Sequence, residues 1–380
     1  MKKYHFKLAM GVVFVLFITI APWNVSGEPN AQPDESSLFR FVRTVQITPD
    51  DHFQGGGFAR INYVPATDRL VVTFGAQFDQ PLGGCMNAGH AYKEYTWDMQ
   101  ETGQFGVFSC EVADLGSVMV ENTYYDVSMH AIPGEGVGWR IVQYDAVSWE
   151  ALVDLFFPLG LPYEKDNDPT VAYINGQLDI SGQYDVDGPP PPLEVGAATH
   201  HHFFSTDLEL LDERILADEP HVCGSSMIVV DDITYFITAD AFMGDVIVMQ
   251  YDRDWNYLGM HELIEQAHWS TGIFFDGERF YLAYMDTSQR SMPGFLPVSL
   301  NVHLAAFDRD WTLVEDMAVT NYTFADHRQP GRPWVILHEN RLYVSYDLDT
   351  IDPVTHEEQR QGQAIVSVYE LAQDAPLRNG

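Results

Sequence analysis

Over residues 39–47, Phe39-Arg40-Phe41-Val42-Arg43-Thr44-Val45-Gln46-Ile47, apolar and polar side chains largely alternate, the period of a strand with one buried face. Similar short runs recur along the chain. No stretch keeps a 3.6-residue period for the length of a helix, and the 29 Gly and 21 Pro fall between the runs as turns. The pattern predicts strands throughout.

The runs repeat. Val248-Met249-Gln250-Tyr251-Asp252-Arg253-Asp254-Trp255 and Leu304-Ala305-Ala306-Phe307-Asp308-Arg309-Asp310-Trp311 share one plan: an alternating strand, an aromatic, an acidic turn, then a tryptophan opening the next strand. Related stretches align Tyr95, Tyr144, Phe204, Tyr251, Phe307 and Tyr369, spaced by 49, 60, 47, 56 and 62 residues. Upstream of each aromatic lies a second pattern, an apolar strand, a polar turn and an aromatic-rich strand. Its copies are 59–68 before Leu70, 117–122 before Tyr124, 170–176 before Leu178, 227–232 before Tyr235, 272–277 before Phe280 and 334–340 before Leu342. Both patterns occur six times in step, which predicts six units of strands a, b, c and d, each a propeller blade.

The last copy reaches its strand c and then has too few residues for a strand d. The run at 39–47 precedes the first strand a and is free to supply the missing strand, closing the ring and removing sheet edges. The predicted fold is therefore all-β, a six-bladed β-propeller of four-stranded antiparallel blades over residues 38–372, with the N-terminal strand completing the last blade. Residues 1–27 read as a signal peptide, 28–37 as a linker and 373–380 as a tail.

The c-to-d turns Ser205-Thr206-Asp207, Asp252-Arg253-Asp254-Trp255 and Asp308-Arg309-Asp310-Trp311 resemble the Asp-box turns of sialidase-like propellers, although they lack that motif's glycine. The resemblance implies a glycan-acting enzyme. On physical grounds these turns are structural, with Asp capping the backbone and Trp packing between blades.

Lys2, Lys3 and Lys7 precede the apolar run Leu8 to Ile20, and Val25-Ser26-Gly27 offers a cleavage site, which marks an exported protein, secreted or periplasmic and free of the membrane after cleavage. Beyond this leader 17 basic residues face 55 acidic ones, a balance of −38. Nucleic acid is excluded as a partner because phosphate recognition depends on Lys and Arg, and such acidity favours a soluble monomer. Of three cysteines, Cys85 and Cys110 are the pair nearest in sequence for one disulfide, leaving Cys223.

In a propeller, the loops entering strand a and those joining b to c open on one face around the axis, where a pocket forms. The segments entering strand a carry His52 and Arg60, Glu111, Asp166 and Asp168, His221, His268, and His327, Arg328 and Arg332. Asp166, Asp168, Glu111 and His268 are candidate acid–base groups, Arg60, Arg328 and Arg332 a candidate anion clamp, and Trp269 a platform for a sugar ring. Imidazoles of His52, His221, His268 and His327 are candidate ligands for a divalent metal ion. His200-His201-His202, His90 and His303 lie on strands c and read as structural. The b-to-c loops 77–87, 185–196, 286–299 and 347–362 would wall the pocket.

Two function classes follow. One is a secreted glycan-acting hydrolase or lyase, with or without a metal ion. The other is a non-catalytic extracellular propeller that binds carbohydrate or protein. A carbohydrate or other small extracellular ligand is the expected partner, and the fold does not choose between the classes.

Overall fold

The structure is a computed structural model that describes residues 37–110, 115–132, 136–159, 169–184, 196–221, 225–239, 244–265, 267–286, 301–323, 326–351 and 358–372. The leader, the tail, Glu111, Asp166, Asp168 and Cys223 lie outside these residues, as do parts of the b-to-c loops.

The described strands group into six four-stranded antiparallel sheets. Blade 1 comprises β2 (Gly55–Val64), β3 (Arg69–Gln77), β4 (Ala88–Tyr95) and β5 (Glu101–Ser109); blade 2 comprises β6 (Leu115–Val120), β7 (Thr123–Ile132), β8 (Gly136–Asp145) and β9 (Ala151–Pro158). Blade 3 holds β10 (Thr170–Ile174), β11 (Gln177–Tyr184), β12 (Gly196–Phe204) and β13 (Leu210–His221), and blade 4 holds β14 (Ser226–Val230), β15 (Ile233–Ala239), β16 (Val246–Tyr251) and β17 (Tyr257–Ile264). Blade 5 is β18 (Ala267–Phe275), β19 (Phe280–Asp286), β20 (Asn301–Phe307) and β21 (Leu313–Ala318). In blade 6, β22 (Arg328–His338), β23 (Arg341–Ile351) and β24 (Glu358–Leu371) are joined by β1 (Phe39–Gln46), in the order β1-β24-β23-β22.

The first strand of each sheet touches the first strand of the next, β2 to β6, β6 to β10, β10 to β14, β14 to β18, β18 to β22 and β22 back to β2. Those six strands surround the axis, so the sheets form a closed six-bladed ring. Antiparallel pairing of β1 with β24, from Phe39 opposite Leu371 to Gln46 opposite Ile365, gives blade 6 its outer strand.

The core lies between blades. Five blades turn from strand c to strand d through residues in which an aspartate, serine or threonine side chain accepts backbone N–H groups: Asp252 Oδ1 takes those of Asp254 (2.9 Å) and Asn256 (2.8 Å), Asp308 Oδ1 those of Asp310 and Thr312 (both 2.9 Å), and in blade 1 Thr96 Oγ1 takes that of Gln100 (3.2 Å). These turns hold Met99, Trp149, Leu208, Trp255 and Trp311 at φ of 54° to 64°, the left-handed region that glycine would favour. Each of these left-handed positions is filled by a large apolar residue. A register shift at the aligned aromatic accompanies every one of these turns.

Left-handed geometry costs a non-glycine residue about 1–2 kcal/mol. Burial offsets that cost, because each bulky side chain is turned onto the preceding blade. Trp149 stacks on Tyr92 (4.3 Å), Trp255 lies 4.7 Å from His201, and Trp311 lies 5.3 Å from Tyr235 while stacking on Phe280 of its own blade (4.1 Å). Each full burial contributes about 1.5–3 kcal/mol or more. The Cys85–Cys110 disulfide ties the b-to-c loop of blade 1 to the segment leaving β5.

Candidate functional site

Six-fold repetition is broken on one side of the ring. Inner pairs β6–β7, β10–β11 and β14–β15 keep unbroken register. In blades 5, 6 and 1 the inner strand instead bulges at one common level: 269–271 stand opposite Tyr284, Arg332 and Pro333 opposite Tyr346, and Phe58 and Ala59 opposite Phe74. Bulges re-aim side chains and gather beside functional sites. Phe58 and Arg332 have φ of 55° and 49°, outliers that the surrounding sheet holds in place.

A cavity of about 120 Å³ opens here, at the end of the ring where strands b meet the b-to-c loops. It is lined by Gly56, Gly57 and Phe58 of β2, Gly75 and Gln77 of β3, Arg332 of β22, Asp347 and Asp349 of β23, and Gly362 of β24. Blades 6 and 1 therefore share it, and it lies on the face expected from propeller geometry. Asp347 and Asp349 are two residues apart on one strand, so their side chains leave the same side of the sheet. Leu348 between them points the other way, into the core.

Arg332 joins the two carboxylates. Its Nη1 pairs with Asp347 Oδ2 and lies 3.5 Å from Asp349 Oδ2. Its guanidinium also lies over the Phe58 ring, 4.0 Å from the centroid. Across the same seam Arg60 of β2 lies over Trp334 of β22 at 4.8 Å and donates to the Ser117 carbonyl at 2.8 Å. Each inner strand thus lends an arginine to the other's aromatic ring, contacts of about 0.5–2 kcal/mol apiece.

Asp347 is 1% exposed, and its Oδ1 has no hydrogen-bond partner. Glycine surrounds it: a Cβ on Gly331 would lie 3.2 Å from Oδ1, and one on Gly57 3.5 Å from Oδ2. Burial pushes the neighbouring Tyr346 phenol well above its usual range, so that hydroxyl stays protonated.

The structure brings Arg60 and Arg332 to one seam, and places Arg328 at the start of β22 with Nη1 donating to Thr350 Oγ1 at 3.1 Å. His52 lies elsewhere on blade 1, stacked 4.1 Å from Phe105 of β5. His327 sits half-buried beside Asp326, just before β22. Of His221, His268 and Trp269 only the backbone is described: His221 ends the outer strand of blade 3, while His268 and Trp269 lie at the inner bulge of blade 5. Among the described residues no group of three or more His, Cys, Asp or Glu side chains is arranged to hold a metal ion.

The histidine run behaves as strand alternation requires. His201 faces blade 4, with Nδ1 2.8 Å from the fully buried Asp179 Oδ2, and His202 faces blade 2 beside Trp139 and Phe157. Burial and then His200 and His201 hold the His202 imidazole down to about 3, leaving it neutral. Asp347 and Asp349 were missed because they appeared only as the start of a wall-forming loop. The Asp-x-Asp spacing at the end of a strand b was the available signal.

No protein-family model matches this chain, and no curated relative matches it. Among solved structures, it is similar to a Trypanosoma rangeli sialidase in complex with 2,3-difluorosialic acid, a covalent intermediate, at 13% identity and a TM-score of 0.54 over 90% of this chain and 59% of that one. The same sialidase with a 2,3-difluoro-KDN ligand gives 12%, 0.53, 90% and 58%. An exo-β-1,3-galactanase from Clostridium thermocellum gives 15% and 0.46 over 66% and 57%. The chain spans about three fifths of the length of those sialidases. In fold, the chain is a six-bladed β-propeller similar to the sialidase propeller.

Proposed function

We propose that the protein is an exported glycan-acting hydrolase whose site is the cavity at the seam of blades 6 and 1. The observation that carries this reading is the pair Asp347 and Asp349, buried on one face of β23 and joined by Arg332, inside the bulged sector of a propeller. Glycoside hydrolysis needs two carboxyl groups, one to protonate the departing oxygen and one to take a proton from water or to attack the sugar carbon. Arg332 orients Asp347 for the second role. The proton donor is drawn from Asp349 or from the rim groups Glu111, Asp166, Asp168 and His268. Phe58 supplies an apolar face for a sugar ring, and Trp269, Arg60 and Arg328 extend the binding surface.

The Cys85–Cys110 disulfide supports an oxidising compartment, and no helix among the described residues is long and apolar enough to cross a membrane. Turnover of a panel of fluorogenic glycosides tests the reading: activity that falls by about 10²–10⁴ in Asp347→Asn supports it, and no turnover of any glycoside refutes it. The second reading, a propeller that binds sugar without cleaving it, is favoured by the engagement of both carboxylates with one arginine. Sugar binding without turnover would select it.

A further inference from the structure

The described lining of the cavity holds two carboxylates and one guanidinium, which leave an excess negative charge. Arg332 is engaged by Asp347, approached by Asp349 and covered on one side by the Phe58 ring. An incoming anion would have to displace a carboxylate that is almost fully buried. Asp347 Oδ1, meanwhile, is an acceptor withdrawn from solvent and left without a donor, an arrangement that costs about 1–3 kcal/mol until a donor arrives. Gly57 and Gly331 keep side-chain carbon away from that carboxylate, and Met285 Sδ lies near the same spot without a proton to give. Among the described residues no donor reaches Asp347 Oδ1, and the charged groups of the lining sum to a negative charge.

We propose that this site takes an amino sugar bearing a free ammonium group, and that Asp347 is the residue selecting it. A hydroxyl donates one hydrogen bond and carries no charge, whereas an ammonium has three donors, enough for Asp347 Oδ1 and Asp349 together, and balances the residual charge. A uronic or sialic acid would bring a third carboxylate to a pocket in which Arg332, the one arginine among the described lining residues, is already shared. The inference rests on the carbohydrate reading of the same site and narrows it from glycans in general to cationic ones.

Calorimetric titration at pH 6 with D-glucosamine, D-glucose, N-acetyl-D-glucosamine and D-glucuronate tests it, using the full chain. The expected order is glucosamine at least about tenfold tighter than glucose, N-acetylglucosamine level with glucose, and glucuronate weakest. Asp347→Asn and, separately, Asp349→Asn, each checked for a native thermal melt, should bring glucosamine to within about threefold of glucose, as should high salt on the wild type. Equal affinities, a preference for glucuronate, or no binding of any of the four overturns the proposal. Turnover of neutral glycosides without an ammonium preference overturns it while leaving the hydrolase reading intact. Tight glucosamine binding with no turnover of any glycoside does the reverse.

Discussion

Adding one methyl group at Gly362 should disable the site while leaving the ring closed. A Cβ at that position would overlap Asp349 Oδ1 and come within 3.1 Å of the Gly56 carbonyl oxygen. Carbon and oxygen settle near 3.5 Å, so Asp349 or the β24 backbone has to move by about 1 Å. A shift of that size at a reacting group costs about 10²-fold in rate, or about 2.7 kcal/mol of transition-state stabilisation. Overpacking takes a further 1–3 kcal/mol, roughly, from folding. Gly57→Ala is the control: its Cβ meets Asp347 Oδ2 at an ordinary 3.5 Å, so its loss should be about tenfold or less with stability within about 0.5 kcal/mol of wild type. The assay is kcat/KM on the best glycoside, paired with urea unfolding. A Gly362→Ala protein that melts normally and keeps kcat/KM within about threefold of wild type would show that the placement of Asp349 is irrelevant to turnover.

Three other outcomes are expected. Replacing Cys85 and Cys110 together by serine releases a loop spanning 25 positions and should destabilise the fold by about 3.5 kcal/mol in urea titration; an unchanged midpoint would contradict the loop-entropy estimate. Trp311 Nε1 is buried without a partner, so Trp311→Phe removes a stranded donor as it loses packing and should be nearly neutral, whereas Trp255→Phe, with no such relief, should cost about 2 kcal/mol. Equal losses at the two positions would argue against the stranded indole. Burial alone would raise the carboxyl of Asp50, but hydrogen bonds from Lys93 and from the Phe53 and His52 N–H groups bring it below the usual aspartate value. Its contribution is therefore complete above about pH 3.9 and is lost as pH falls through the lower folded value; Asp50→Asn should flatten acid unfolding in that window, and an unchanged acid limb would refute the pairing.

Blade architecture was legible because each strand carries its own period-two signal and the unit recurs often enough to be aligned. Even the unusual c-to-d turns could be located, through the acidic residue and the tryptophan, though not the positive φ that Trp255 and Trp311 adopt there. The site was harder. Gly57 and Asp347 are 290 positions apart and meet only because the ring closes there. Whether a histidine before a strand a turns to the axis or along the blade depends on its local contacts: His52 and Arg60, eight residues apart, stack on Phe105 of the outer strand of blade 1 and on Trp334 of the inner strand of blade 6 respectively. Bulges at Phe58 and Arg332 shift the side-chain phase by one residue, which simple alternation does not anticipate.

Pairing of Phe39 with Leu371 joins strands 332 positions apart, a closure whose chain entropy is about 5 kcal/mol by polymer statistics. The strand that is made first must wait for the strand made last. Five blades can assemble in order as the chain emerges, each on its predecessor, while β24 keeps an open edge and β1 remains without a partner. Final closure is then the long-range step expected to limit the folding rate. It is also the step that draws β22 beside β2 and brings Arg332 over Phe58. An unclosed ring would have its blades but no cavity, so the assembly of that cavity becomes a late checkpoint of folding itself.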